Sequence, residues 1–67
     1  MNLNNQVTAL ATSVVAAREV NRDPSVAMRR EADALQIALT PEIERAAWLR
    51  ALHIWERTER DAQAVAA

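Results

Sequence analysis

The sequence predicts an all-α chain of two to three helices, at about residues 3–21, 24–39 and 41–64, with short connectors. Three observations predict it. Glycine is absent and alanine is abundant, which suits helix and deprives a sheet of the Gly, Asn-Gly and Asp-Gly that hairpins use. Both prolines follow a residue able to cap a helix, in Asp23-Pro24 and Thr40-Pro41. Apolar residues recur at helical spacing on either side of those two dipeptides.

The first helix can be capped by Asn2 or Asn5. Leu3, Val7, Leu10, Val14 and Ala17 follow at alternating steps of four and three, a narrow heptad seam whose next position is Asn21. No charged side chain occurs before Arg18. Neutral, small flanks allow this helix to be buried on more than one side. The seam serves either packing within the chain or pairing of two chains, with Asn21 helping to set register in the second case.

Asn21-Arg22-Asp23-Pro24 breaks the chain, and Asp23 with Pro24 starts the second helix. Ala27, Met28, Ala32, Leu35, Ala38 and Leu39 make its main apolar face. Glu31 intrudes there and is expected to pair with an arginine or reach the edge, since an unpaired buried carboxylate is costly. Val26, Arg30, Asp33 and Ile37 form a second strip at steps of four, three and four, with Arg29 beside it. Folding is not expected to need that strip. Arg18 and Arg22 approach it if the Asp23-Pro24 corner is tight.

The third helix begins at Thr40, whose hydroxyl can accept first-turn amide hydrogens, with Pro41 at the first helical position. Glu42 and Glu44 suit the positive end of its dipole. Ala47, Ala51, Ile54 and Ala62 share a broad apolar face with the seam Trp48, Leu52 and Trp55. Arg45, Arg50, His53, Glu56, Arg57 and Arg60 fall opposite, and Leu49 lies among them as an exposed residue.

Sixty-seven residues make a single helical domain over 1–67. A chain this short buries only about 60% of its unfolded surface, so small domains rely on disulfides, a metal or oligomerisation. There is no cysteine and one histidine, which leaves oligomerisation. A homodimeric helical bundle is therefore expected, with Leu3, Val7, Leu10, Val14, Trp48, Leu52 and Trp55 as its core or dimer residues. The net charge of −1 gives no electrostatic case for nucleic acid or an acidic membrane. No segment has the roughly 20 apolar residues of a membrane helix. Val7 to Ala17 lacks the positive start of a signal peptide, so a cytoplasmic location is expected.

Catalysis is not expected. No glycine is present to cradle a phosphate or strain a nucleophile turn, and Cys, Lys and Tyr are absent. His53 is the lone imidazole, on a polar face near Glu56 and Arg57. No cofactor or metal site is indicated. The preferred reading is a non-catalytic protein that binds and modulates another protein through Val26, Arg29, Arg30 and Ile37. An apolar pair bracketing arginine resembles the strips used in helix-in-groove recognition. The alternative is a small DNA-binding regulator of helix-turn-helix type, with Arg29 and Arg30 near the start of a recognition helix. Asp23, Glu31 and Asp33 surround those arginines and the domain is not basic, which speaks against it.

In size, in its lack of Gly and Cys, and in its Asp-Pro and Thr-Pro capped helices, the whole chain resembles small helical accessory proteins of temperate bacteriophages that bind host regulators, the quorum-sensing anti-activator type. The resemblance implies a bacterial cytoplasm, a homodimer, and a host transcription regulator or motor protein as the target, with inhibition as the outcome.

Overall fold

The chain folds into three helices, α1 (Leu3–Glu19), α2 (Pro24–Ala34) and α3 (Pro41–Ala66). The computed structural model describes residues 2–66, with side chains to residue 63, and no strand occurs among them. Each helix begins as its sequence predicts. The Asn2 side chain accepts the Asn5 amide hydrogen at 2.8 Å. The Asp23 carboxylate accepts that of Ser25 at 2.9 Å. The Thr40 hydroxyl accepts that of Ile43 at 3.3 Å.

The ends of α1 and α2 share one device. Asn21 and Gln36 each adopt a left-handed backbone, with φ of 57° and 55°. After α1, the Arg22 amide donates to the Ala17 carbonyl at 2.8 Å and the Asn21 amide to that of Arg18 at 3.1 Å. After α2, the Ile37 amide donates to Ala32 at 2.8 Å and the Gln36 amide to Asp33 at 3.2 Å. Both are Schellman motifs, which satisfy carbonyls left open at a helix end. Glycine normally takes the left-handed position, and this chain has none. Asn tolerates it well, whereas Gln36 bears a cost of about 1–2 kcal/mol.

This exit corrects two expectations. The second helix stops at Ala34, not Leu39. The turn at Gln36 redirects the chain so that Ile37 enters the core instead of continuing the Val26-Arg30-Asp33 strip. Leu35 becomes the exposed C-cap, Ala38 is exposed, and Leu39 is partly buried against the core. In α1, Asn21 is an exposed turn residue and not the next position of the seam.

α1 is the organising element, because α2 and α3 both pack on it and, among the described residues, not on each other. A helix without charge before Arg18 can be covered on two sides at no desolvation cost for ions. The core cluster joins Leu10, Ala11 and Val14 of α1, Met28 and Ala32 of α2, Ile37, and Ala47 and Ala51 of α3. Alanine takes half of these places, so the helices meet on small side chains. Leu10, Met28 and Val14 are the largest fully buried groups. No polar or charged residue is buried among the described residues.

α3 has 26 residues, about 39 Å at 1.5 Å per residue, and its length accounts for the 42 Å long axis of the molecule. Only its first half is covered. Ile43 to Trp55 supplies all its buried and half-buried positions, and Glu56 to Gln63 is exposed throughout. Ala62, expected on the apolar face, has nothing over it. Two contacts tie α3 to α1. The Arg50 guanidinium donates to the Thr8 hydroxyl at 3.1 Å, and Arg18 lies 4.2 Å from the centre of a Trp55 ring.

Candidate functional site

An open groove of about 800 Å³ runs along α1 and α2. Ala16, Ala17 and Val20 line it from α1, and Val26, Ala27 and Ala34 from α2. Arg22 and Asp23 close one end at the corner, and Arg30 and Glu31 border the α2 side. Local sequence fixes this shape. The left-handed turn at Asn21 reverses the chain, the Asp23 cap starts α2 at once, and alanines along both walls leave the space between them open.

The sequence-derived residues divide here. Val26, 48% exposed, stands in the groove wall with Arg30. Arg22 does approach them, as a tight corner requires. Arg29 is exposed but does not line the groove. Ile37 is the correction, at 8% exposure a core residue with no surface to offer a partner. Arg18 turns the other way, onto Trp55. Glu31 is half-buried at the groove edge, in keeping with the expectation that it reaches an edge.

Val20 and Ala16 were not singled out from sequence. A signal was present: Ser13, Ala16 or Ala17, and Val20 recur at helical spacing on a second face of α1. The heptad seam masked it.

The two apolar seams also divide. Val7, Leu10 and Val14 are buried as expected. Leu3, at 62% exposure, has no partner element over it and is not core within one chain. On α3, Ala47 and Ala51 take the buried places, Trp48 and Trp55 are half-buried at the edge, and Leu52 is 45% exposed. Leu52 is therefore also not core within one chain. The apolar arc of α3 is wider than the surface α1 covers, so its outer flank stays in solvent. Leu49 is 52% exposed, as expected, and lies beside that flank. A shallower hollow of about 280 Å³ lies beside it, lined by Pro41, Glu42, Arg45, Ala46 and Leu49.

Charge is spread over the surface. Among the described residues, no acidic side chain forms an ion pair with a basic one. Nor do three or more His, Asp or Glu side chains gather where a metal ion could sit. No helix of the described residues is long and apolar enough to cross a membrane. Comparison with protein-family models, curated proteins and solved structures returned no match.

Proposed function

We propose that this is a non-catalytic helical protein that binds another protein and modulates it, most simply by inhibition, through the α1–α2 groove. The observation that carries this reading is the groove itself. An apolar surface of Ala16, Val20 and Val26 is open to solvent over the buried Ala17, and Arg22 and Arg30 stand at its margin. Helix-in-groove recognition uses such a surface, with apolar anchors in the trough and charged groups setting orientation. Arginine is favoured at binding centres because one planar group combines charge, a hydrogen-bonding fork and a stacking face. A bacterial transcription regulator in the cytoplasm, met by a homodimer of this chain, is the partner that the resemblance to bacteriophage accessory proteins suggests. DNA binding is the weaker reading. α2 has only 11 residues, and Arg29 and Arg30 are flanked by Asp23, Glu31 and Asp33 in a domain that is not basic.

The test pairs the parent with a Val26→Glu, Arg30→Glu variant in capture from a bacterial lysate. Melting temperatures are measured beside it, since both residues are exposed. A protein held by the parent and lost by the equally stable variant supports the groove, with weakening of at least about 2 kcal/mol, the usual hot-spot threshold. Equal capture by both overturns it. A saturable complex with duplex DNA at physiological salt would favour the weaker reading instead.

A further inference from the structure

We infer that two copies of this chain pair through the outer flank of α3, antiparallel and centred on Leu52. The inference rests on the homodimer in the reading above and specifies its surface and register. The centre of the flank, Leu52, lies about 140° around the helix from Ala47, at 100° per residue, at the border of the arc that α1 covers: on the inner side Trp48 and Trp55 pack against the core, and Arg18 of α1 lies over Trp55. Along the flank run Arg45, Trp48, Leu52, Trp55 and Glu59, at steps of three, four, three and four. That is a heptad seam whose apolar middle is only partly covered by the chain itself, with Leu52 45% exposed and Leu49 52% exposed beside it.

The ends of the seam supply the partner's identity. Arg45 and Glu59 each lie seven residues from Leu52, on opposite sides. A seven-residue step returns to the same face of a helix within about 20°. A two-fold axis at Leu52 therefore brings Arg45 of each copy opposite Glu59 of the other. Both side chains are exposed and neither has an ion-pair partner within the chain. The same axis sets Leu52 against its own copy and places Trp48 nearly level with Trp55 of the second chain. A parallel pairing would face Arg45 with Arg45 and Glu59 with Glu59. The flank is thus self-complementary in one orientation only, as a two-fold interface must be.

Light scattering and sedimentation equilibrium at low salt test this, with Arg45→Glu, Glu59→Arg and the double variant beside the parent. The expected result is a dimer mass for the parent. Each single reversal sets like charges together at both ends and raises the dimer dissociation constant by at least about tenfold, and the double reversal restores it to within about threefold. A monomeric parent mass at high micromolar concentration overturns the dimer and this interface together. A dimer indifferent to the single reversals, or not rescued by the double, overturns the α3 register and leaves the dimer standing. Neither outcome bears on the α1–α2 groove, which is read by capture.

Discussion

Ile37→Ala separates the observed course of the second helix from the one its periodicity suggests. If α2 continued to Leu39, Ile37 would stand on the outer strip with Arg30, and its truncation would cost almost nothing. The chain instead turns at Gln36, and Ile37 is 8% exposed within the cluster that includes Met28 and Ala32. Nearly the whole side chain is then lost from the core. Truncating a buried Leu, Ile or Met to Ala costs about 2–5 kcal/mol. A value of about 2–4 kcal/mol is expected here, because a connector residue leaves a cavity that relaxes more easily than one inside a helix. A domain of 67 residues has roughly 3–10 kcal/mol of stability in all, so the variant loses a large part of it. At this size the change corresponds to roughly 10–30 °C in melting temperature. Circular dichroism melts at one fixed protein concentration measure it, with Arg30→Ala as the exposed control expected within about 0.5 kcal/mol of the parent. Loss of less than about 0.5 kcal/mol for Ile37→Ala would refute the placement of Ile37 and the early end of α2.

The remaining predictions concern the same turn and the flank of α3. Gln36→Gly should stabilise the chain by about 0.5–1 kcal/mol in urea unfolding, since glycine removes the left-handed penalty and gives back part of it as unfolded-state entropy; a destabilised variant would mean the Gln36 side chain does more than occupy the turn. Leu49→Ala and Leu52→Ala should each cost at most about 1.5 kcal/mol in melts below the dimer dissociation constant, because at about half exposure each keeps only about half the 1.5–3 kcal/mol of a fully buried side chain. A cost for Leu52→Ala of 2 kcal/mol or more, on the order of a true core position, would place it inside the single-chain core.

The starts of α2 and α3 were legible to the residue, and that of α1 to a choice between Asn2 and Asn5, because each is written as a local signal. Asn2, Asp23 and Thr40 are short acceptors at the entry of an apolar-periodic run, and two of them precede proline. Local chemistry of this kind does not wait for tertiary structure. The end of α2 was not legible for a complementary reason. Helix exits are usually marked by glycine, and the chain has none. Asn21 could be read as a substitute, since Asn tolerates left-handed geometry, but nothing in Gln36 announces the same conformation. Leu35, Ala38 and Leu39 kept the helical period going on paper past the real end. What stops α2 is the burial of Ile37, a long-range gain that outweighs the local cost at Gln36. The site was half legible for the same reason. Val26 and Arg30 lie within α2 proper and were found, whereas Ile37 lies past the turn and was misplaced.

Leu52 shows a different limit. Periodicity reports which residues share a face, not how much of that face a neighbour covers. The apolar arc of α3 spans Ala47, Ala51 and Ile54 at its centre and Trp48, Trp55 and Leu52 at its edge. α1 is a single cylinder about 10–12 Å across, so it covers the centre and leaves the edge. A second helix of similar size is what the remaining flank can still accommodate. On the α3 pairing inferred above, that helix comes from another copy, and the two-fold axis then carries two α1–α2 grooves on one particle. Neither groove lies on the α3 flank, so both stay open when the pair forms. A partner that is itself a dimer could then engage both grooves at once, with the second contact made at an effective concentration set by the spacing of the grooves. The short chain and its small, alanine-rich core fit that arrangement. On that reading the structural demand on each copy is modest, and binding strength would come from presenting the same shallow groove twice.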